Sequence, residues 1–238
     1  MARSYSMEPQ AAKEANQGGK RITETGKYKG VIKAAWAETY QTGTEAVCLQ
    51  FESETGQEAG PLTLFTFNRD GQQLSGFKMF SAILACARLR GVQPQPGKVK
   101  LYDFDQKAEV EKEKDVFPEL AGKPIGLLLQ QEEYTDRDGY LRVDDSGIPK
   151  TRMRIFAPFE AGTELMAAEV LDRQAQPAAL GKAVEWLSSN PVRQDRNAKR
   201  QPSSANSYHQ PPQQGYQAAQ NGQWQPPIED DDSSEIPF

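Results

Sequence analysis

Residues Gly26 to Glu38 read G-K-Y-K-G-V-I-K-A-A-W-A-E. Tyr28, Ile32 and Trp36 share one parity, and Lys27, Lys29 and Lys33 the other, which is the period of a strand with an apolar face and a basic face. Gly30 marks a bend or bulge within it. Thr42-Gly43 is a turn, and Thr44 to Ser53 repeats the alternation with Val47, Leu49 and Phe51 on one side. A second turn, Glu54-Thr55-Gly56-Gln57, leads to a third strand from Pro61 to Arg69, closed by Asp70-Gly71. Three strands on short turns make a meander. Trp36, Phe51, Phe65, Phe67 and Phe80 are assigned to its core.

The period then changes. Leu74, Phe77, Phe80, Ile83 or Leu84, and Ala87 recur at helical spacing, with Gly91 as the stop. Gly97 to Asp105 is read as a strand, Glu109 to Asp115 as a solvated charged loop, and Phe117 to Gly122 as one helical turn. Pro124 to Tyr134 is the most apolar strand candidate. Thr135 to Gly147 is a long hairpin loop with turn signals at Asp138-Gly139 and Ser146-Gly147. In Lys150 to Phe159, Lys150, Arg152 and Arg154 fall on one face, Met153 and Ile155 on the other. Helices are expected at Thr163 to Arg173, with Thr163 as N-cap, and at Ala178 to Ser188. The fold class is mainly β with flanking helices. A helix after the third of five strands is the layout of an OB-fold-like five-stranded barrel, whose curved face suits oligonucleotides.

Composition narrows the function. The 238 residues are 37% apolar and 26% charged, and the mean hydropathy of -0.73 is low for a chain that packs throughout. The first residues lack the apolar region of a secretory signal, and no apolar run reaches the roughly 18 residues of a membrane span. Cys48 and Cys86 lie far apart in apolar surroundings and read as reduced core residues of a cytoplasmic protein. The single histidine, His209, leaves no zinc set to assemble. Asp103 and Asp105, with Glu109 or Glu111, are alternate acids that read as a water-facing strand, so neither metal nor cofactor is assigned. No phosphate-binding loop, serine elbow or Cys-His arrangement is present, and no catalytic residue is assigned.

The net charge of -5 is unevenly placed. All 28 Lys and Arg lie at or before Arg200, while five of the 33 acids follow it, so residues 1–200 balance 28 bases against 28 acids. Four segments are expected: a flexible arm over 1–25, a folded body over 26–190, a linker over 191–226 and an acidic tip over 227–238. The linker, rich in Gln, Pro, Asn and Ser, cannot bury enough surface to fold. A coil of about 35 residues spans roughly 30–35 Å. The tip carries Glu229, Asp230, Asp231, Asp232 and Glu235 without a base and ends on Ile236, Pro237 and Phe238. Such a peptide places a ring in an apolar pocket while basic residues around it take the acids.

That tip resembles the acidic C-terminal tip of bacterial and phage single-stranded DNA-binding proteins, an aspartate run followed by Ile-Pro-Phe. It differs in having Ser233, Ser234 and Glu235 between the aspartates and Ile236. The segments G-K-Y-K-G-V-I-K-A, G-F-K-M-F-S-A-I-L-A-C-A, L-A-G-K-P-I-G-L-L-L-Q and M-R-I-F-A-P-F resemble, in this order, the body of the phage-encoded type rather than the tetrameric bacterial one. The resemblance implies a protein of the bacterial host cytoplasm that coats single strands in replication, recombination and repair. It also implies that the tip recruits replication or recombination proteins through Glu229 to Phe238.

Binding without sequence preference needs a basic groove and exposed rings. Lys27, Lys29 and Lys33 on the first strand and Lys150, Arg152 and Arg154 on the last supply charge; a closed barrel would bring those strands near each other. Arg137, Tyr140 and Arg142 sit in the long loop, and Tyr134, Tyr140, Trp36 and Tyr40 are the stacking candidates. Two rivals share these features: a β-barrel adaptor whose ligand is a protein, and a strand-annealing recombination protein that assembles on DNA.

Overall fold

The computed structural model of the chain describes Met7 and residues 21–103, 107–136 and 138–200. In order, the elements are β1 (Gly26–Thr39), β2 (Glu45–Ser53), β3 (Glu58–Phe67), α1 (Ser75–Cys86), β4 (Gln95–Asp103), β5 (Ala108–Val116), β6 (Pro124–Glu133), β7 (Thr151–Phe159), α2 (Ala167–Leu171), α3 (Ala179–Ser189) and β8 (Val192–Arg193). Arg137, Asp105, the stretch 201–226 and the tip residues Glu229, Asp230, Asp231, Asp232, Glu235, Ile236, Pro237 and Phe238 lie outside the described residues, as does the side chain of Asp103.

β1 organises the sheet because its 14 residues serve more than one partner along the same edge. Gly26 to Val31 pair with β6, and Trp36 and Ala37 pair with β5. Along the other edge, Gly30 to Thr39 pair with β2, which pairs with β3. The path is therefore β3-β2-β1-β5-β4, with β6 joining β1 to β7 and taking the short β8 in parallel. The remaining pairings are antiparallel. The fold is mainly β with flanking helices, as expected: an eight-stranded open sheet with three helices; no ladder joins β3 to β7 among the described residues, so the sheet is not closed there into a barrel.

The additional strands have a physical origin. The charged run Glu109 to Asp115, expected as a loop, is β5. It pairs with β4 in a register that sets Lys98 opposite Glu113 and Lys100 opposite Glu111, and opposite charges across an antiparallel pair stabilise it. The expected linker contributes its first residues to the sheet as β8 and as the bridge between Tyr140 and Lys199. The end of the expected arm also packs: Ile22 is 2% exposed, and its N–H donates to the Glu58 carbonyl at 2.7 Å.

A bulge in β1 decides which side chains reach which core. The register against β2 shifts between Ile32 and Ala34, and one extra residue reverses the parity beyond it. Ile32 and Ala35 thus both face the main core under α1. Trp36 is buried as expected, but on the other side of the sheet from Ile32, against Cys48 and Val99 beneath the β4–β5 hairpin. Phe51 and Phe80 are buried; Phe65 and Phe67 are only half-buried. α1 lies directly on β3, since a Cβ on Gly76 would stand 2.1 Å from the Phe65 carbonyl oxygen. It ends at Cys86, short of the expected stop at Gly91. Arg88 takes the left-handed conformation, φ 57°, with its guanidinium forked onto Glu160 at 2.6 and 2.9 Å.

A second apolar cluster covers the opposite face of β6–β7, where Leu180, Ala183 and Leu187 of α3 pack on Leu128, Phe156 and Phe159. Trp186 stacks on Phe156 with centroids 5.0 Å apart. The helix expected from Thr163 begins later, at Ala167. Glu169 makes that start: its carboxylate accepts the Met166 N–H at 2.8 Å and the Ala178 and Ala179 N–H groups at 2.7 and 2.8 Å. One acid therefore caps α2 and the beginning of α3. Among the described residues no helix is long and apolar enough to cross a membrane.

Candidate functional site

The loop between β6 and β7 is built from two consecutive tight turns. Asp136 accepts the N–H groups of Asp138 and Tyr140, and Asp144 those of Ser146 and Ile148. Gly139 and Gly147 take the left-handed conformation, φ 80° and 79°, where a side chain is strained. These turns fold the loop into a narrow extension of the sheet. The Arg142 N–H donates to the Tyr134 carbonyl at 3.0 Å, and the Lys150 N–H to the Arg142 carbonyl at 2.8 Å. Tyr134, Arg142 and Lys150 are therefore successive neighbours, one strand spacing of about 4.8 Å apart. Arg142 and Lys150 are exposed.

Rings and cations interleave along this extension. The Arg152 guanidinium lies 5.9 Å from the Tyr134 ring centre, and the Lys199 ammonium 5.5 Å from that of Tyr140, both within cation–π range. Tyr140 is 38% exposed, as are Val143 (42%) and Ile148 (61%) nearer the tip. The Tyr40 ring packs on Phe65 with centroids 5.6 Å apart. Burial raises the Tyr40 hydroxyl above its ordinary value, and the Arg152 charge is near enough to pull the other way.

The segment after α3 brings further charge to this extension. β8 lies parallel to β6, and the Lys199 N–H and carbonyl bond to Gly139 and Leu141 at 2.8 and 3.0 Å. This strap sets Arg193 2.6 Å from Glu132, and Arg200 3.9 Å from Glu133. Glu132 is the hub of the cluster, with Arg152 at 3.0 Å and Arg154 at 3.9 Å as well. Burial pushes its carboxyl upward, but Arg152, Arg154 and Arg193 together hold it below the usual carboxylate range. One acid against three guanidinium groups leaves this cluster with a net positive charge. A carboxylate with a depressed folded pKa stabilises the fold above the unfolded value of 4.5, and that stability is lost as pH falls through the lower folded value. Glu132→Gln is accordingly expected to cost about 2 kcal/mol at pH 7, within the range for lost hydrogen bonds to a charged group. In urea unfolding of both proteins, that gap is expected to close as the pH falls well below 4.5.

The basic face of β1 lies elsewhere and is neutralised by acids. Lys27 and Lys29 reach the same oxygen of Glu164 at 2.8 and 2.7 Å, and their hydrogen bonds hold the Glu164 carboxyl below its usual range. Lys33 sits between Glu52 at 3.1 Å and Glu58 at 2.6 Å. Lys27 stands opposite Leu128 of β6, whereas Arg152 stands opposite Glu132, four residues or about 13 Å further along the strand. The apolar patch under α3 occupies the ground between. The structure thus brings Tyr134, Tyr140, Arg142, Lys150, Arg152 and Arg154 together, and leaves Lys27, Lys29 and Lys33 outside that group.

Sequence reading missed Arg193, Lys199 and Arg200, because their polar surroundings matched the linker. The signal was present: R-Q-D-R-N-A-K-R, Arg193 to Arg200, holds the last bases of the chain, and the true linker composition begins after it. Burial pushes the Cys48 thiol up to about 11 and the Cys86 thiol up to about 12, so neither forms a thiolate near neutrality. Among the described residues no group of three or more His, Cys, Asp or Glu is placed to hold a metal ion. No protein-family model matches the chain, and no curated protein matches it significantly.

Proposed function

We propose that the chain binds single-stranded DNA without sequence preference, using the β6–β7 hairpin and the strap 192–200 as its contact surface. The observation that carries this reading is the row Tyr134, Arg142 and Lys150, with Arg152 over the Tyr134 ring and Lys199 over that of Tyr140. Flat rings accept any base by stacking, and cations beside them meet the phosphates between bases. The strand path β3-β2-β1-β6-β7, with α1 after β3, supports an OB-like body to which the β4–β5 hairpin and β8 are added. In this reading the protein coats strands exposed in replication, recombination and repair, as a phage-type protein of the bacterial cytoplasm. The acidic tip, Glu229 to Phe238, recruits partner proteins.

Phosphate contacts release counterions, so the logarithm of affinity falls linearly with the logarithm of salt, by about 0.7 per contact for single strands. Replacing Arg142 and Lys150 together by alanine is expected to lower that slope by about 1.4, measured with a dT oligonucleotide between low and moderate salt. An unchanged slope would remove the hairpin from the interface. The adaptor reading draws on a different observation: the β1 lysines are each met by a glutamate, and Val143 and Ile148 are exposed at the hairpin tip. It predicts no salt-sensitive oligonucleotide binding at all.

A further inference from the structure

Between the start of β1, the β2–β3 turn and the loop before α2 lies an open pocket of about 300 Å³, walled by Lys27, Lys29, Ser53, Thr55, Glu54 and Glu164. It lies apart from the hairpin surface. Two ammonium groups converge there on a single carboxylate oxygen, at 2.8 and 2.7 Å. The residue that carries this oxygen is unusual in its backbone: Glu164 is left-handed, φ 63°, a region that side chains other than glycine seldom adopt. It follows Gly162 and Thr163 in a stretch outside any helix or strand. A loop residue has thus been placed against preference, with its carboxylate between two lysines.

We infer that this pocket is a phosphate-binding site, closed here by Glu164, whose carboxylate oxygen stands where a phosphate oxygen would sit. With Glu164 withdrawn, Lys27 and Lys29 face one remaining acid, Glu54, and the pocket carries a net positive charge. The Ser53 and Thr55 hydroxyls on its wall hydrogen-bond each other at 2.9 Å and Thr55 donates weakly to Gln57 at 3.4 Å; rotation of the Thr55 hydroxyl away from Gln57 would supply a neutral donor to a further oxygen. A phosphate brings three or more acceptor oxygens to groups now sharing one, and ammonium–phosphate hydrogen bonds are of the charge-assisted kind. The Glu164 carboxylate is a weak competitor: its side chain is 32% exposed, and ion pairs at such depth gain little over water. The pocket goes beyond the hairpin reading and depends on it only for the source of the phosphate, a DNA strand rather than a small phosphate compound.

The test uses the full chain, with inorganic phosphate as the first probe, followed by calorimetry or phosphorus NMR. Glu164→Gln is expected to bind phosphate about tenfold more tightly than the parent, the two exposed ion pairs it removes being worth together up to roughly that factor. Adding Lys27→Ala and Lys29→Ala is expected to erase the gain. Glu164→Gly, which suits the left-handed backbone, serves as a second variant and is expected to show the same gain. Two dT oligonucleotides, with and without a 5′-phosphate, then identify the source. A gain confined to the phosphorylated strand assigns the site to strand ends, an equal gain assigns it to internal phosphates, and a gain for inorganic phosphate alone assigns it to small compounds. If neither Glu164 variant binds any of the three probes more tightly than the parent, the pocket is not a phosphate site. That result is separable from failure of the DNA reading, in which the parent chain binds neither oligonucleotide.

Discussion

Alanine at both Tyr134 and Tyr140 is expected to weaken binding of a dT oligonucleotide about a hundredfold and to leave the fold intact. Each ring stacked on a base is worth about 1–3 kcal/mol, and about 1.4 kcal/mol is a factor of ten. Tyr140 is 38% exposed and Tyr134 is half-buried, so neither ring supports much of a core. The backbone hydrogen bonds that build the hairpin, from Arg142 to Tyr134 and from Lys150 to Arg142, survive the substitution because they involve no side chain. Phenylalanine at both positions separates stacking from hydroxyl chemistry. It keeps the ring and the cation–π contacts with Arg152 and Lys199, and is expected to retain most of the affinity. Equal losses for phenylalanine and alanine, in a fluorescence titration, would mean that the hydroxyls rather than the ring faces make the contact.

Gly30→Ala is expected to destabilise the protein by about 3 kcal/mol or more, the upper range for overpacking a site that cannot relax. Its Cβ would stand 2.0 Å from the Glu52 carbonyl oxygen and 2.7 Å from the Ser53 Cα. Those are backbone atoms, and Gly30 is paired to strands on both sides, to Ser53 of β2 and Ile125 of β6. β1 cannot move from one without straining the other. Gly181→Ala, within α3, makes the matching control: nothing lies within 4 Å of its Cβ, and alanine there is expected to add about 0.5–1 kcal/mol. Urea unfolding of the two variants compares them directly. A Gly30→Ala midpoint equal to the parent's would show that β1 and β2 do not approach this closely.

The residues that carried the fold in the sequence were those with a clean period. The β1–β3 meander, the helix around Phe80 and Ile83, and the apolar strand Ile125 to Leu129 all stand within a few residues of their expected places, because alternation or helical spacing reports burial directly. Trp36 shows where that logic ends. One bulge residue reverses parity, and a bulge is set by the partner strand, not by the strand's own pattern. β5 was hidden for a related reason: Glu109 to Asp115 is charged at every position but Val110, and partners on other strands, the lysines of β4 and Glu38 of β1, make the charges favourable. The site was legible in its hairpin, where turn residues and basic parity coincide. It was not legible in its electrostatics. Glu164 lies 137 residues from Lys27, and Glu132 gathers three arginines from two separate stretches, β7 and β8, so neither pairing leaves a local trace.

The central claim is that the hairpin surface holds single strands through rings and salt-sensitive cations. Fluorescence anisotropy of a labelled dT oligonucleotide, at two salt concentrations and with a matched duplex as competitor, tests it most directly. The account predicts tight binding that weakens as salt rises and that the duplex fails to displace. Absence of binding at low salt, in the full chain and in a chain lacking Glu229 to Phe238 alike, would contradict it.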